Sequence, residues 1–117
     1  MQKSGITLAN SIQDGVTIVR IGGFLDGHTI INLERHVVSL AKIENQRLVF
    51  ELSGLTYIAS AGVGLFINVS HRLKGLGGRL ELVKPSPSVA EIFAILGLDS
   101  IFTIHPDLAS GVAAARG

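Results

Sequence analysis

The chain has 117 residues, no cysteine, and ten lysines and arginines against nine aspartates and glutamates, for a formal charge of +1. That balance argues against nucleic acid as the main partner, because phosphate-driven binding needs a clustered excess of basic residues. The missing cysteines exclude disulfides, thiolate metal sites and thiol catalysis.

With 47% of its residues apolar, the chain can bury one core and is too short for two, so residues 1–117 read as a single domain. The N-terminal Met-Gln-Lys-Ser-Gly-Ile-Thr lacks the apolar core of a signal peptide, and no apolar run reaches the roughly 20 residues of a spanning helix. A cytoplasmic domain without membrane insertion is the expectation.

In chain order, residues 5–12 alternate weakly as a strand and end before Asp14-Gly15, a dipeptide suited to a tight hairpin turn. Val16–Ile21 supplies a second strand, antiparallel to the first, and Gly22-Gly23 is read as its end. After Asp26-Gly27-His28-Thr29, residues Ile30, Leu33, Val37, Leu40 and Ala41 recur at helical spacing. This predicts an amphipathic helix of about four turns, with Asp26 or Thr29 capping its start.

Residues 47–69 form the centre of the sequence. Leu48, Val49, Phe50 and Leu52 are nearly continuous in apolar character, as in a parallel strand covered on both faces. Ser53-Gly54 breaks it, and a tight loop leads to a second helix rich in apolar residues from Ala61 onward. Gly62 and Gly64 in that helix permit close backbone approach. Ser60 falls at or just inside the helix N-terminus, where serine is a favoured cap and unpaired N–H groups point outward.

Lys74–Gly78 ends this helix. Arg79–Val83 alternates as a strand, Pro85 and Pro87 end it, and Ser88-Val-Ala-Glu91 reads as a capping box opening a helix through Leu96. Ile101–Ile104 is a last short strand, and Pro106–Gly117 an Ala-rich helix expected to fray. Strands alternating with helices imply an α/β fold, a mixed and mostly parallel sheet of about five strands with about four helices packed on it.

Two stretches carry a family resemblance: Gly23-Phe-Leu-Asp-Gly-His-Thr29 and Leu52-Ser-Gly-Leu-Thr-Tyr-Ile-Ala-Ser-Ala-Gly-Val-Gly64. Together with the element order and the Pro-x-Val-x-x-Ile-Phe-x-x-x-Gly-Leu pattern of residues 87–98, they resemble the STAS domain of bacterial anti-sigma factor antagonists. The resemblance covers essentially the whole chain. It implies a domain that binds an anti-sigma factor, itself a serine kinase of the GHKL type, and so frees a sigma factor. The kinase would phosphorylate Ser60 and end the complex, and a serine phosphatase would reset it. Asp26, Gly27, His28 and Thr29 would lie near Ser60, with Ala59, Ala61, Gly62 and Val63 completing the partner-binding surface. The family usually has Asp immediately before the phosphoacceptor, where this chain has Ala59, and Asp at the end of the central strand, where it has Glu51. Ala59 keeps a second reading open: a constitutive STAS subunit of a sensory scaffold or lipid transport complex, without a phosphorylation cycle.

Other chemistry is weakly supported. His28, His36, His71 and His105 are scattered over different elements without paired ligand spacing, so no metal site or cofactor is expected. A nucleophilic Ser60 would draw on His28 as base, yet the surrounding Ile58-Ala-Ser-Ala-Gly62 is not a Gly-x-Ser-x-Gly elbow. An enzyme is not expected.

Overall fold

The computed structural model describes residues 5–117. Met1–Ser4, part of the stretch read for a signal sequence, lies outside the described residues. Six strands and four helices follow one another as β1 Ile6–Gln13, β2 Val16–Leu25, α1 Ile30–Val38, β3 Arg47–Glu51, β4 Leu55–Ile58, α2 Ser60–Gly75, β5 Arg79–Val83, α3 Pro87–Leu96, β6 Ile104–His105 and α4 Leu108–Arg116. Short 3-10 turns over Leu40–Lys42 and Leu98–Ser100 complete the path.

The sheet runs in the order β1-β2-β3-β5-β6, with β4 also paired to β2. β1 and β2 are an antiparallel hairpin, and every other pairing is parallel. At the hairpin turn Asp14 and Gly15 both have positive φ, 53° and 79°, the combination a two-residue turn needs to match strand twist.

β4 is a sixth strand where the sequence was read as a tight loop. The cause lies in β2, which does not stop at Gly22-Gly23. Its register shifts between Gly23 and Phe24, where Gly23 has φ 88°. The extra residue of this bulge, Thr56, is on β4, the new neighbour that β2 gains as it runs on to Leu25 once β3 has ended. Thr17–Arg20 pair with β3, and Gly23–Leu25 pair with β4.

The main core lies between the sheet and α1, α2 and α3, and includes Leu25, Leu33, Phe50, Leu52, Ile58, Phe66, Leu73 and Phe93. The rings of Phe50 on β3 and Phe66 on α2 meet edge to face, with centroids 5.0 Å apart and an interplanar angle of 62°. Such pairs add about 0.5–1.5 kcal/mol beyond the area they bury. A smaller cluster of Val16, Ile18, Val49, Val83, Val112 and Ala115 seats α4 on the opposite face.

Several boundaries differ from the sequence reading, among them the last strand, which is Ile104–His105 rather than Ile101–Ile104. The first helix ends as an α-helix at Val38 and continues only as a 3-10 turn. The cap of α3 is Ser86 rather than Ser88: with Pro87 in the first turn, the Ser86 hydroxyl accepts from Val89 N at 3.3 Å and donates to the Leu55 carbonyl at 2.6 Å. The last helix is held at its end. Arg47 and Arg79 each donate from Nη1 to carbonyls of its final turn, Ala115 at 2.7 Å and Ala114 at 2.6 Å, where the helix dipole favours cations.

Candidate functional site

The site forms where β2 and β4 end side by side. Phe24 is the register partner of Tyr57 and Leu25 of Ile58, so the residues that follow each strand leave the sheet at the same edge. One bond fixes the junction: Ala59 N donates to Leu25 O at 2.8 Å. The Asp26–Thr29 loop and the Ala59–Ser60 corner are thereby neighbours, as the resemblance implies.

The first loop is built by its own polar groups. One Asp26 carboxylate oxygen accepts from His28 N at 2.9 Å and Thr29 N at 3.0 Å, while Ile30 N donates to Asp26 O at 3.0 Å. Asp26, not Thr29, therefore provides the capping acceptor for the turn that enters α1. These backbone donors, Thr29 first and His28 second, hold the Asp26 carboxyl below its ordinary value of 3.8, helped by the Thr29 hydroxyl and the His28 charge. Thr29 is buried, and its hydroxyl donates to Phe24 O at 2.7 Å and accepts from Asp26 N at 3.0 Å. Its role is to pin the loop to the end of β2. Gly27 and His28 are exposed.

At the second corner the cap residue is Ala59, extended at φ −87° and ψ 165°, with no side-chain acceptor, and Ser60 is the first residue of α2. Ser60 thus lies just inside the helix N-terminus, within the expected placement, and its hydroxyl is past the position from which a cap accepts. Ser60 is exposed, and its hydroxyl has no hydrogen-bond partner among the described residues. Gly62 N and Val63 N both donate to Ala59 O, at 2.9 Å and 3.2 Å. The Ser60 and Ala61 amides, by contrast, have no partner within the helix, as expected for a first turn. No base is bonded to Ser60 Oγ.

The remaining residues divide by burial. Ala61 is exposed, whereas Gly62 and Val63 face inward. A methyl group added to Gly62 would stand 2.8 Å from Leu25 and 2.9 Å from Ile58, while one added to Gly64 meets nothing within 4 Å. Gly62 thus lets α2 lie against the ends of β2 and β4, and Gly64 leaves an open patch on the helix surface.

The sequence reading passed over two aromatic residues on the strands that lead into the site. Phe24 and Tyr57, the register pair on β2 and β4, are 51% and 47% exposed. Their signal was the Phe and Tyr within the two motifs, hidden because β4 was read as loop.

A family model described as the STAS domain matches residues 7–111. The chain belongs to the STAS domain family. A Bordetella bronchiseptica STAS relative, provisionally named anti-sigma factor antagonist BtrV, is 31% identical over 103 residues, 88% of this chain and 89% of that protein. The crystal structure of an anti-sigma factor antagonist from Mycobacterium paratuberculosis superposes with a TM-score of 0.84 at 24% identity, covering 99% of this chain and 98% of the other. The Bacillus cell fate determinant SpoIIAA in its phosphorylated form has a TM-score of 0.68 at 19% identity, covering 92% of this chain and 98% of its own. These two likenesses establish the shared STAS fold.

Among the described residues, no three His, Asp or Glu side chains are grouped to hold a metal ion. No helix there is long and apolar enough to cross a membrane.

Proposed function

We propose that this STAS domain is an anti-sigma factor antagonist, a cytoplasmic binding module that docks an anti-sigma factor serine kinase of the GHKL type and is switched by phosphorylation of Ser60. The observation that carries the reading is the state of Ser60: exposed, unbonded, and one residue past the cap it would occupy if its work were structural. The relative named as an anti-sigma factor antagonist supports the partner class.

The docking surface is proposed to comprise Ser60 and Ala61 with the open Gly64 face of α2, and Gly27 and His28 of the neighbouring loop. Asp26, Thr29, Ala59, Gly62 and Val63 shape that surface from beneath. A phosphate on Ser60 adds about 1.5–2 negative charges. Within the isolated domain the unpaired first-turn amides and helix dipole favour an anion at this place. At a packed interface the same group must be desolvated, at a cost of several kcal/mol unless a cation meets it. A loss of about 3–4 kcal/mol already weakens binding by a factor of roughly 100–1000. The modified domain stays folded and releases its partner, and a serine phosphatase restores it.

The test is intact-mass spectrometry of the protein incubated with ATP and the candidate anti-sigma kinase, followed by peptide mapping. One added phosphate on the peptide holding Ser60 supports the switch. A stable complex without modification supports the second reading, a constitutive binding subunit, which Ala59 favours because no carboxylate stands beside the hydroxyl.

A further inference from the structure

We propose that the β1 edge is an interface for a second copy of this chain, the two β1 strands pairing antiparallel about a two-fold axis through Asn10. β1 is a lateral edge of the sheet and, among the described residues, pairs with β2 alone. The two-residue turn closes on Gln13 and Val16, which makes the odd-numbered residues of β1 the ones bonded to β2. The backbone N–H and C=O groups of Leu8, Asn10 and Ile12 therefore point away from the sheet and have no partner.

Long edges are ordinarily protected by a charge, a proline or a bulge. Residues 6–13, Ile-Thr-Leu-Ala-Asn-Ser-Ile-Gln, contain neither charge nor proline, and pair with β2 in unbroken register. The other edge strands among the described residues are shorter, β6 with two residues and β4 with four. The one edge of matching length and character is thus β1 of another copy, and pairing consumes both edges, giving a closed dimer in place of a growing sheet.

The sequence of the strand suits this symmetry. About Asn10, Leu8 faces Ile12 of the second copy and Ile12 faces its Leu8, while Ala9 faces Ser11. Ile12, 76% exposed in the single chain, gains an apolar neighbour. Asn10 meets its own counterpart, an uncharged residue whose Oδ1 lies 2.6 Å from His36 Nε2 on α1. The nearest charge on the hairpin is Arg20 of β2, opposite Ala9. Its guanidinium reaches across to β1, where Nη1 donates to Ser11 Oγ at 2.7 Å. β4 lies on the other side of β2 from β1, so Ser60 stays open in the dimer and this proposal does not depend on its role.

The test is analytical ultracentrifugation of the full chain over a concentration series, with Asn10→Lys, Ile12→Lys and, as control, Ile95→Lys on α3, a position also 76% exposed. The expected result is a dimer for the unmodified chain and the control. Both β1 variants are expected to raise the dimer dissociation constant at least tenfold while leaving far-UV circular dichroism and Tm unchanged. A chain that stays monomeric up to roughly millimolar concentration, grows beyond a dimer, or dimerises equally well with both β1 substitutions overturns the proposal.

Discussion

The backbone amide of Ala59 donates to the carbonyl of Leu25 at 2.8 Å, and this single bond joins the two segments that carry the candidate site. It places the free hydroxyl of Ser60 beside a loop whose polar groups are already satisfied by one another. The site therefore presents a fixed outline with one group left uncommitted.

Ser60→Asp is expected to abolish binding to the anti-sigma kinase with Tm nearly unchanged, and Ser60→Ala to retain binding while losing phosphorylation. Calorimetric titration of each variant, beside a thermal melt, reads both quantities. Normal binding by Ser60→Asp would remove this residue from the switch.

Ala59→Asp is expected to stabilise the domain by about 0.5–2 kcal/mol, because the residue already has the extended backbone of a cap and lacks only the acceptor. For a domain of this size that corresponds to a Tm rise of several degrees, about 4 °C per kcal/mol. An unchanged Tm would show that the first-turn amides are satisfied without a cap.

The two glycines of α2 separate packing from docking. Gly62→Ala forces a methyl group against Leu25 and Ile58 and should cost about 1–3 kcal/mol by overpacking. Gly64→Ala meets nothing within the domain and should stabilise the helix by about 0.5–1 kcal/mol, yet weaken partner binding if the partner approaches the helix closely there. Urea melts measure the first pair of effects and titration the second.

Acid should loosen both ends of the architecture. Asp26 is held below its ordinary 3.8 by the Thr29 and His28 amides, and Asp107 below the same value by the Ser110 hydroxyl and amide. Since these carboxyls bind protons more readily in the unfolded chain, their contribution is present above the ordinary value and is lost as pH falls through the lower folded one. Tm should decline below about pH 4, and Asp26→Asn with Asp107→Asn should flatten that decline. An identical pH profile in the double variant would assign acid sensitivity to other carboxyls.

Much of this was legible before the structure. The parallel central strand declared itself through Leu48–Phe50, all fully buried, and the hairpin through Asp14-Gly15. What escaped was context. Leu55–Ile58 is four residues with only its ends buried, too short to show a period, and it becomes a strand because β2 extends past Gly23 to receive it. Ser60 was legible as a residue at or just inside the helix N-terminus; that Ala59 is the cap goes with the bond from Ala59 to Leu25, which residue preference does not encode. The fraying expected of α4 failed for a similar reason, since Arg47 and Arg79 reach it from strands distant in sequence.

The junction between Leu25 and Ala59 also bears on time. Leu25 and Ile58 are 0% and 2% exposed, so the Ala59 amide can exchange its hydrogen with solvent only when the sheet itself opens, and should rank among the slowest in the domain. A partner therefore meets a surface that does not rearrange to receive it. On the proposed function, the rate of complex formation would then be governed by encounter and orientation, and regulation would fall to the chemical state of one hydroxyl rather than to any movement of the backbone.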